Sequence, residues 1–237
     1  MKIALLGYGK MGRVIESLAL EAGHQIVFKS TSEASEGSLE SADVAIEFST
    51  PEAAVNNLTL CFEKQIPVVC GTTAWLDRWD EVVTYCTKHQ GALVYASNFS
   101  VGVQIFFEMQ RHLSQIMSRH PQYKVSIQER HHTQKKDAPS GTAISLAEIT
   151  MASSKHKNWV LGPASSDDEL PIEAIRQPDT PGTHTIYYQS PIDQITIEHK
   201  AHSREGFASG ALLAAQWIAG KIGIFSMKDV LHLSDKK

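Results

Sequence analysis

Short, almost wholly apolar runs recur along the first hundred residues: Lys2–Leu6, Gln25–Lys29, Val44–Phe48, Pro67–Cys70 and Ala92–Tyr95. Runs of this length and character predict parallel strands covered on both faces. The segments between them carry apolar positions at helical spacing. Arg13–Glu21 continues as an amphipathic helix, Ser49-Thr50-Pro51 starts another with proline in its first turn, and Trp75 and Trp79 lie one turn apart as packing residues. Strands alternating with helices predict a Rossmann-type, doubly wound parallel sheet of the α/β class, with ligand at the carboxyl ends of its strands. Residues 30–41, polar and rich in serine, predict a loop.

The pattern changes near residue 101. Val103, Phe106, Phe107, Gln110, Leu113 and Met117 mark one side of a helix running to about His120, where Pro121 stops it. In Lys124–Glu129, Val125 and Ile127 alternate with polar neighbours, as in a half-buried strand. Ala143, Leu146, Ala147 and Thr150 then predict a helix whose cap is Ser140. Strands are expected at Ile172–Arg176, Thr183–Tyr188 and Asp193–His199, and a last helix over 211–220; residues 153–169 carry no periodic signal. Several strands after one helix predict a second, α+β domain with a mostly antiparallel or mixed sheet, one face of which meets solvent or another subunit. The expected division is 1–100 plus 205–237 against 101–204, with no internal repeat.

Two stretches carry chemistry. Gly7-Tyr8-Gly9-Lys10-Met11-Gly12 follows the first strand and opens a helix, the context in which G-x-G-x-x-G binds a dinucleotide. Gly7 allows the tight turn, Gly9 lets backbone approach a pyrophosphate, and Gly12 lets helix and strand pack closely. An acid usually ends the second strand when the ribose 2′-hydroxyl is bound. Here Lys29-Ser30-Thr31-Ser32 has no acid before Glu33, so the site tolerates or attracts a 2′-phosphate. The second stretch is Glu129 to Ala143, which gathers His131, His132, Lys135, Lys136 and the turn Ser140-Gly141-Thr142. Backbone N–H groups at the start of the following helix suit a carboxylate or phosphate. Lys135 adds an ammonium, and imidazoles move protons near neutral pH. The two stretches together predict a dinucleotide-binding fold with an anion-holding, proton-donating loop.

Composition narrows the partners. At 237 residues, 42% hydrophobic and 20% charged, the chain has the make-up of a globular protein. A net charge of −4 without a basic stripe argues against nucleic acid. No apolar run approaches the ~20 residues that span a bilayer. The three cysteines, Cys61, Cys70 and Cys86, form no C-x-x-C pair, and no metal is expected. With no signal-peptide pattern at Met1–Gly7, the expected compartment is the cytoplasm.

His131-His132-x-x-Lys135-x-Asp137-Ala138-Pro139-Ser140-Gly141-Thr142 resembles the signature of the dihydrodipicolinate reductases of lysine and diaminopimelate biosynthesis. The likeness extends over nearly the whole chain: Phe48-Ser49-Thr50-Pro51, Gly71-Thr72-Thr73, Ala96-Ser97-Asn98-Phe99-Ser100-Val101-Gly102, and Ala201-His202-Ser203-Arg204-Glu205-Gly206-Phe207 all have counterparts. It departs from a common form of the family at Gln134 and Lys136, and its glycine loop is the shorter form. The resemblance implies reduction of 4-hydroxy-tetrahydrodipicolinate, a small cyclic dicarboxylate, by NADPH or NADH. It implies His131 and Lys135 as the proton-handling pair, His132 as a substrate holder, and Ser140, Gly141 and Thr142 as the carboxylate grip. The cofactor would meet Gly7 to Gly12, Lys29, Gly71 to Thr73, Ala96 to Phe99, Arg204 and Phe207. The first domain would bind dinucleotide; the second would bind substrate and assemble a homotetramer. Other classes that the residues admit are a dehydrogenase of an amino acid or aldehyde and a dinucleotide sensor without catalysis.

Overall fold

Lys2–Leu6 forms strand β1 in a computed structural model that describes residues 1–203 and 205–233. Ile3 and Leu5 enter one hydrophobic cluster and Ala4 and Leu6 another, so this strand is buried on both faces. In chain order there follow α1 (Lys10–Glu21), β2 (Gln25–Ser30), β3 (Ser35–Gly37), β4 (Val44–Glu47), α2 (Pro51–Glu63), β5 (Val68–Cys70), α3 (Trp79–Lys88) and β6 (Ala92–Tyr95). Next come α4 (Val101–Met117), β7 (Lys124–His131), α5 (Gly141–Met151), β8 (Asn158–Leu161), β9 (Glu169–Arg176), β10 (Gly182–Gln189) and β11 (Gln194–Ala201). The chain closes with α6 (Glu205–Ile218), β12 (Gly223–Phe225) and α7 (Met227–Val230). These elements make two units, Met1–Val101 with Glu205–Lys237, and Gly102–Arg204.

The first unit is the doubly wound sheet, ordered β12-β6-β5-β4-β1-β2-β3 and parallel except for the edge pair β2–β3. Helices α1 and α6 cover one face through Ile15, Ala19, Ala211 and Ala215, while α2 and α3 cover the other through Leu58, Phe62, Val82 and Cys86. Strand order reverses between β1 and β4, and a crevice at the carboxyl ends of the strands follows from that topology. Helix α6 lies directly on the chain that leaves β6. A Cβ at Gly210 would stand 1.8 Å from the carbonyl oxygen of Phe99.

The second unit is a five-stranded mixed sheet, ordered β11-β10-β7-β9-β8, with β7 antiparallel to β10 and parallel to β9. Inward residues Val125, Ile127, Ile172, Ile186 and Tyr188 pack with Val103, Phe106 and Phe107 of α4 and Leu146 and Ala147 of α5. Both helices sit on that one face. The other face carries Gln128, Arg130, Glu173, Thr185, Tyr187, Thr196 and Glu198, and no helix of this unit covers it among the described residues.

Four expectations change at the level of elements. The serine-rich segment pairs with β2 as β3, because Phe28 and Lys29 leave an edge open to Gly37 and Glu36. The patternless stretch contains β8, whose Trp159 packs on the core from an edge where alternation is weak. Strand β7 runs on to His131, so that residue sits on rigid backbone rather than in the loop. Helix α6 begins earlier and ends earlier than its apolar pattern suggested, at Glu205 and Ile218.

Candidate active site

In the first unit the predicted cofactor residues Gly7 to Gly12, Lys29, Gly71 to Thr73 and Ala96 to Phe99 lie at or just beyond the ends of β1, β2, β5 and β6. Gly7, with φ +94°, turns the chain after β1; a Cβ there would lie 2.2 Å from the Phe48 carbonyl oxygen. A Cβ at Gly12 would lie 2.8 Å from the Gly7 oxygen, so only glycine lets α1 start this close. Gly9 is the N-cap of α1 and offers no side-chain cap, and a Cβ on it would meet nothing within 4 Å. The first intrahelical bond runs from Arg13 N–H to Gly9 oxygen. The amides of Lys10, Met11 and Gly12 therefore stand outside the helix's own ladder, as an anion site requires. A cleft of about 300 Å³ is lined by Gly7, Tyr8, Gly9, Ser30, Thr31, Ser49, Thr50 and Asn57. These residues fit a dinucleotide pyrophosphate.

The turns after β4, β5 and β6 complete that rim. Glu47 is fully buried and accepts hydrogen bonds from Ser49 N–H and Asn57 Nδ2–H, each at 3.2 Å, and from the Ser49 hydroxyl. The Cys70 thiol also donates to it, at 3.2 Å, and burial followed by this carboxylate pushes that thiol well above its ordinary pKa. Ser49 N–H further reaches Thr72 Oγ1 at 2.8 Å, and Trp75 Nε1 donates to the Thr72 oxygen at 2.7 Å. The tryptophan read as packing thus also clamps the Gly71–Thr73 turn. Gly71 is needed there, because a Cβ would come within 2.2 Å of the Phe48 ring. Beyond β6, the Ala96 amide bonds the Cys70 oxygen at 3.3 Å, Asn98 Oδ1 accepts the Ser100 amide at 2.9 Å, and Phe99 is buried 5.8 Å from Phe48. Phe207 is half-buried in the first turn of α6, and Arg204 lies outside the described residues.

Lys29 does not stand as an open cation. Its ammonium lies 2.5 Å from Glu16 on α1 and 4.9 Å from the Tyr8 ring centre, and the Tyr8 hydroxyl donates to the same carboxylate. Hydrogen bonds from Lys29 and Tyr8 hold the Glu16 carboxyl below its usual range.

In the second unit Glu129 is the centre. Alternation along β7 turns Val125, Ile127, Glu129 and His131 inward, and Glu129 is fully buried. Its Oε1 accepts from Arg176 Nη2 at 3.1 Å, and its Oε2 accepts the Ser140 amide at 3.0 Å. His131 Nδ1 lies 3.3 Å from Oε2 and His184 Nε2 3.8 Å from it. Burial works to raise the Glu129 pKa, but His131 and Ser140 together outweigh it and bring the value down to about 2. Ser140 caps α5 by accepting the Ala143 amide at 3.3 Å; its own hydrogen is left for His184 Nε2, 3.1 Å away. Burial, and then repulsion from His131, push His184 down to about 3, so it is a neutral acceptor. A Cβ at Gly182 would lie 3.1 Å from His131 Nε2, which makes this glycine the floor under the ring.

Lys135 Nζ bonds both oxygens of Asp137 at 2.9 Å, and Arg176 ties the intervening loop through the Lys135 oxygen at 3.3 Å. Gly141 is exposed at the start of α5, with Thr142 half-buried beside it. His132 stands apart from Glu129, in a cleft of about 430 Å³ with Thr133, Gln134, Pro178, Asp179 and Ser203. Glu129, His131 and His184 are the described residues close enough together to hold a metal ion. The Arg176 guanidinium and the Ser140 amide already occupy that carboxylate, which favours a hydrogen-bonded network over a cation. Sequence reasoning gave no role to Glu129, Arg176, His184, Glu47 or Glu16. Only Glu129 was within reach, as an acid on the apolar face of an alternating strand.

A switch-point crevice with a glycine cradle, and a second unit joining an imidazole, an ammonium and a capped helix start, define a nicotinamide-dependent oxidoreductase. The comparisons name the kind. The N-terminal domain of dihydrodipicolinate reductase matches residues 1–99 and its C-terminal domain residues 102–231. The 4-hydroxy-tetrahydrodipicolinate reductase of Christiangramia forsetii is 50% identical over 98% of both chains. That of Neisseria meningitidis serogroup C is 31% identical over 100% of this chain and 99% of its own. A dipicolinate-bound dihydrodipicolinate reductase from Paenisporosarcina sp. TG-14 shares the fold, with a TM-score of 0.74 at 21% identity over 95% of this chain and 97% of its own. The chain belongs to the dihydrodipicolinate reductase family. No helix among the described residues is long and apolar enough to cross a membrane.

Proposed function

We propose that the protein reduces 4-hydroxy-tetrahydrodipicolinate to tetrahydrodipicolinate in diaminopimelate and lysine biosynthesis, the reaction for which its relatives are named. The ring hydroxyl leaves as water together with a proton from the neighbouring carbon, and the ring then gains a hydride and a proton. A bound reduced nicotinamide supplies the hydride. The amides of Lys10 and Met11 hold its pyrophosphate in the Gly7–Gly12 cradle, with Tyr8 on the wall; Gly71, Thr72, Thr73, Ala96, Ser97, Asn98, Phe99, Arg204 and Phe207 attend the rest. NADPH is used at least as well as NADH, with Lys29 on the 2′-phosphate.

One observation carries the substrate reading. A single oxygen of Glu129 receives the Ser140 amide and faces His131, so a helix start that suits a carboxylate and an imidazole that moves protons are braced on one atom. Gly141 and Thr142, at the helix start that Ser140 caps, grip one substrate carboxylate, and His132 holds the substrate from its own cleft. Lys135 exchanges Asp137, which is mostly exposed, for the second carboxylate and brings a proton with it. His131 supplies or relays the proton at the carbon next to the hydride-accepting one. The protein works as a homotetramer in the cytoplasm, a setting that suits three buried, unpaired cysteines.

The test is loss of the reduced nicotinamide's near-ultraviolet absorbance with this substrate, beside aspartate and simple aldehydes as controls. Turnover of a control in preference to the dicarboxylate overturns the reading. Pyridine-2,6-dicarboxylate, which has both carboxylates on a poor hydride acceptor, should compete with substrate. A charge-assisted hydrogen bond contributes roughly 1.5–3 kcal/mol. Lys135→Ala should therefore weaken this inhibitor about ten- to a hundredfold and lower turnover, while His131→Ala mainly lowers turnover. Cofactor affinity, measured by fluorescence, should survive both changes. Native turnover by Lys135→Ala removes it from the mechanism.

A further inference from the structure

We propose that Glu129 is the positioning residue of this site: its buried carboxylate fixes the tautomer of His131 and holds the helix start at Ser140 in register with it. The inference rests on the reading that His131 handles the proton. Its support is independent of that reading, because it comes from how the carboxylate is built into the sheet.

Glu129 has no exposed surface, and a buried carboxylate persists only where every lone pair is used. Two of its partners come from sequence-distant places: Arg176 at the end of β9, paired in register with His131, and Ser140 at the cap of α5. Arg176 supplies the charge that makes an ionised acid tolerable there, and its Nε and Nη2 also donate to the Lys135 and Asp137 carbonyl oxygens, which clamps that loop. The third is a charge contact: His131 Nδ1 lies 3.3 Å from Oε2, and that buried nitrogen has no hydrogen-bond partner elsewhere among the described residues. A carboxylate at that nitrogen keeps the proton of neutral imidazole on Nδ1 and leaves Nε2 as the working atom. Around His131 stand Glu129 on its own strand, Arg176 paired with it in register on β9, and His184 from β10, 5.0 Å away ring to ring. Of these, Glu129 alone places a negative charge against a ring nitrogen. His184 stays neutral and spends its Nε2 on Ser140, so it supports the helix cap instead of competing for the proton.

Two measurements test this. In the native protein, nitrogen-15 spectra of the histidines should show neutral His131 protonated on Nδ1. Protonation on Nε2 overturns the proposal without any variant. In Glu129→Gln, which keeps the shape and removes the charge, the nitrogen-15 signals of neutral His131 should lose their preference for the Nδ1 proton. Its kcat should fall about ten- to a hundredfold, with KM rising as the cap loosens, and Glu129→Asp should recover part of both the Nδ1 preference and kcat. A lower Tm together with an unchanged His131 tautomer and a native kcat makes Glu129 merely structural and overturns the proposal. If instead His131→Ala turns over like the native enzyme, the reading of His131 fails, and that outcome is distinct from the first.

Discussion

At the scale of single residues, charge partners decide what a side chain is free to do. Lys29 is legible in sequence as a cation at the end of a second strand, where an acid is usual. Its pairing with Glu16 is not legible, because the partner sits on the helix that crosses over from β1. The pair changes the expected behaviour. A 2′-phosphate must share the ammonium with a carboxylate, so Glu16→Gln should raise the ratio of kcat/KM for NADPH over NADH about three- to tenfold, the range of a partly solvated ion pair. Lys29→Ala should lower the same ratio. Equal effects on both cofactors would remove Lys29 from the 2′ position. His184 gives a second prediction. Burial holds this base at about 3, against an ordinary value of 6.5, so between those limits the unfolded chain binds more protons than the folded one. The contribution of neutral His184 is intact above about pH 6.5 and is lost as pH falls toward 3, by at most ~1.4 kcal/mol per unit. Glu129, depressed from 4.5 to about 2, adds a loss of the same sign lower down. A series of melting temperatures from pH 7 to 4 should therefore slope downward, and His184→Asn should flatten it.

At the scale of elements, the sequence reading succeeds where burial is two-sided or strictly alternating and loses its grip at edges. Strand β1 and its glycine turn are explicit because every position is constrained, by burial in Ile3 to Leu6 and by backbone approach at Gly7 and Gly12. Strand β3, exposed at Ser35, Glu36 and Gly37, owes its existence to an open edge of β2 that no local pattern announces. Helix α5 was legible through Ser140, yet the further tasks of that serine, on Glu129 and His184, come from strand pairing over 11 and 44 residues. Helix α6 offers the sharpest test. With a Cβ at Gly210 only 1.8 Å from the Phe99 oxygen, Gly210→Ala must push α6 off the chain that leaves β6. Overpacking of this kind costs roughly 1–3 kcal/mol, or about 3–10 °C in Tm. Cofactor affinity should fall with it, because Ala96 to Phe99 lie at the displaced end. A native melting temperature in Gly210→Ala would show that α6 does not bear on this turn.

At the scale of the whole molecule, the doubly wound half and the α+β half are both foreseeable, since the switch from unbroken apolar runs to alternation falls near residue 101. What alternation cannot say is what meets the polar side of the second sheet. Helices α4 and α5 both take the same face, and the other presents Thr185, Tyr187, Thr196 and Gln128 between the charges of Arg130, Glu173 and Glu198. Thr185 is buried there and donates to Glu198 at 2.8 Å, while Tyr187 is half-buried at the middle of the face. Such a surface suits self-association, because a symmetric partner sets hydroxyls and opposite charges against their own copies. We therefore expect a tetramer by sedimentation equilibrium. Tyr187→Glu places one added negative charge per subunit at the centre of the contact, and like charges there cost several kcal/mol. It should drive the protein to dimers or monomers at micromolar concentration. Each subunit's circular dichroism should be unchanged, because Tyr187 points away from the core formed by Ile186 and Tyr188. A native protein that sediments as a monomer refutes the assembly outright; a tetramer that Tyr187→Glu leaves intact moves the contact to another face.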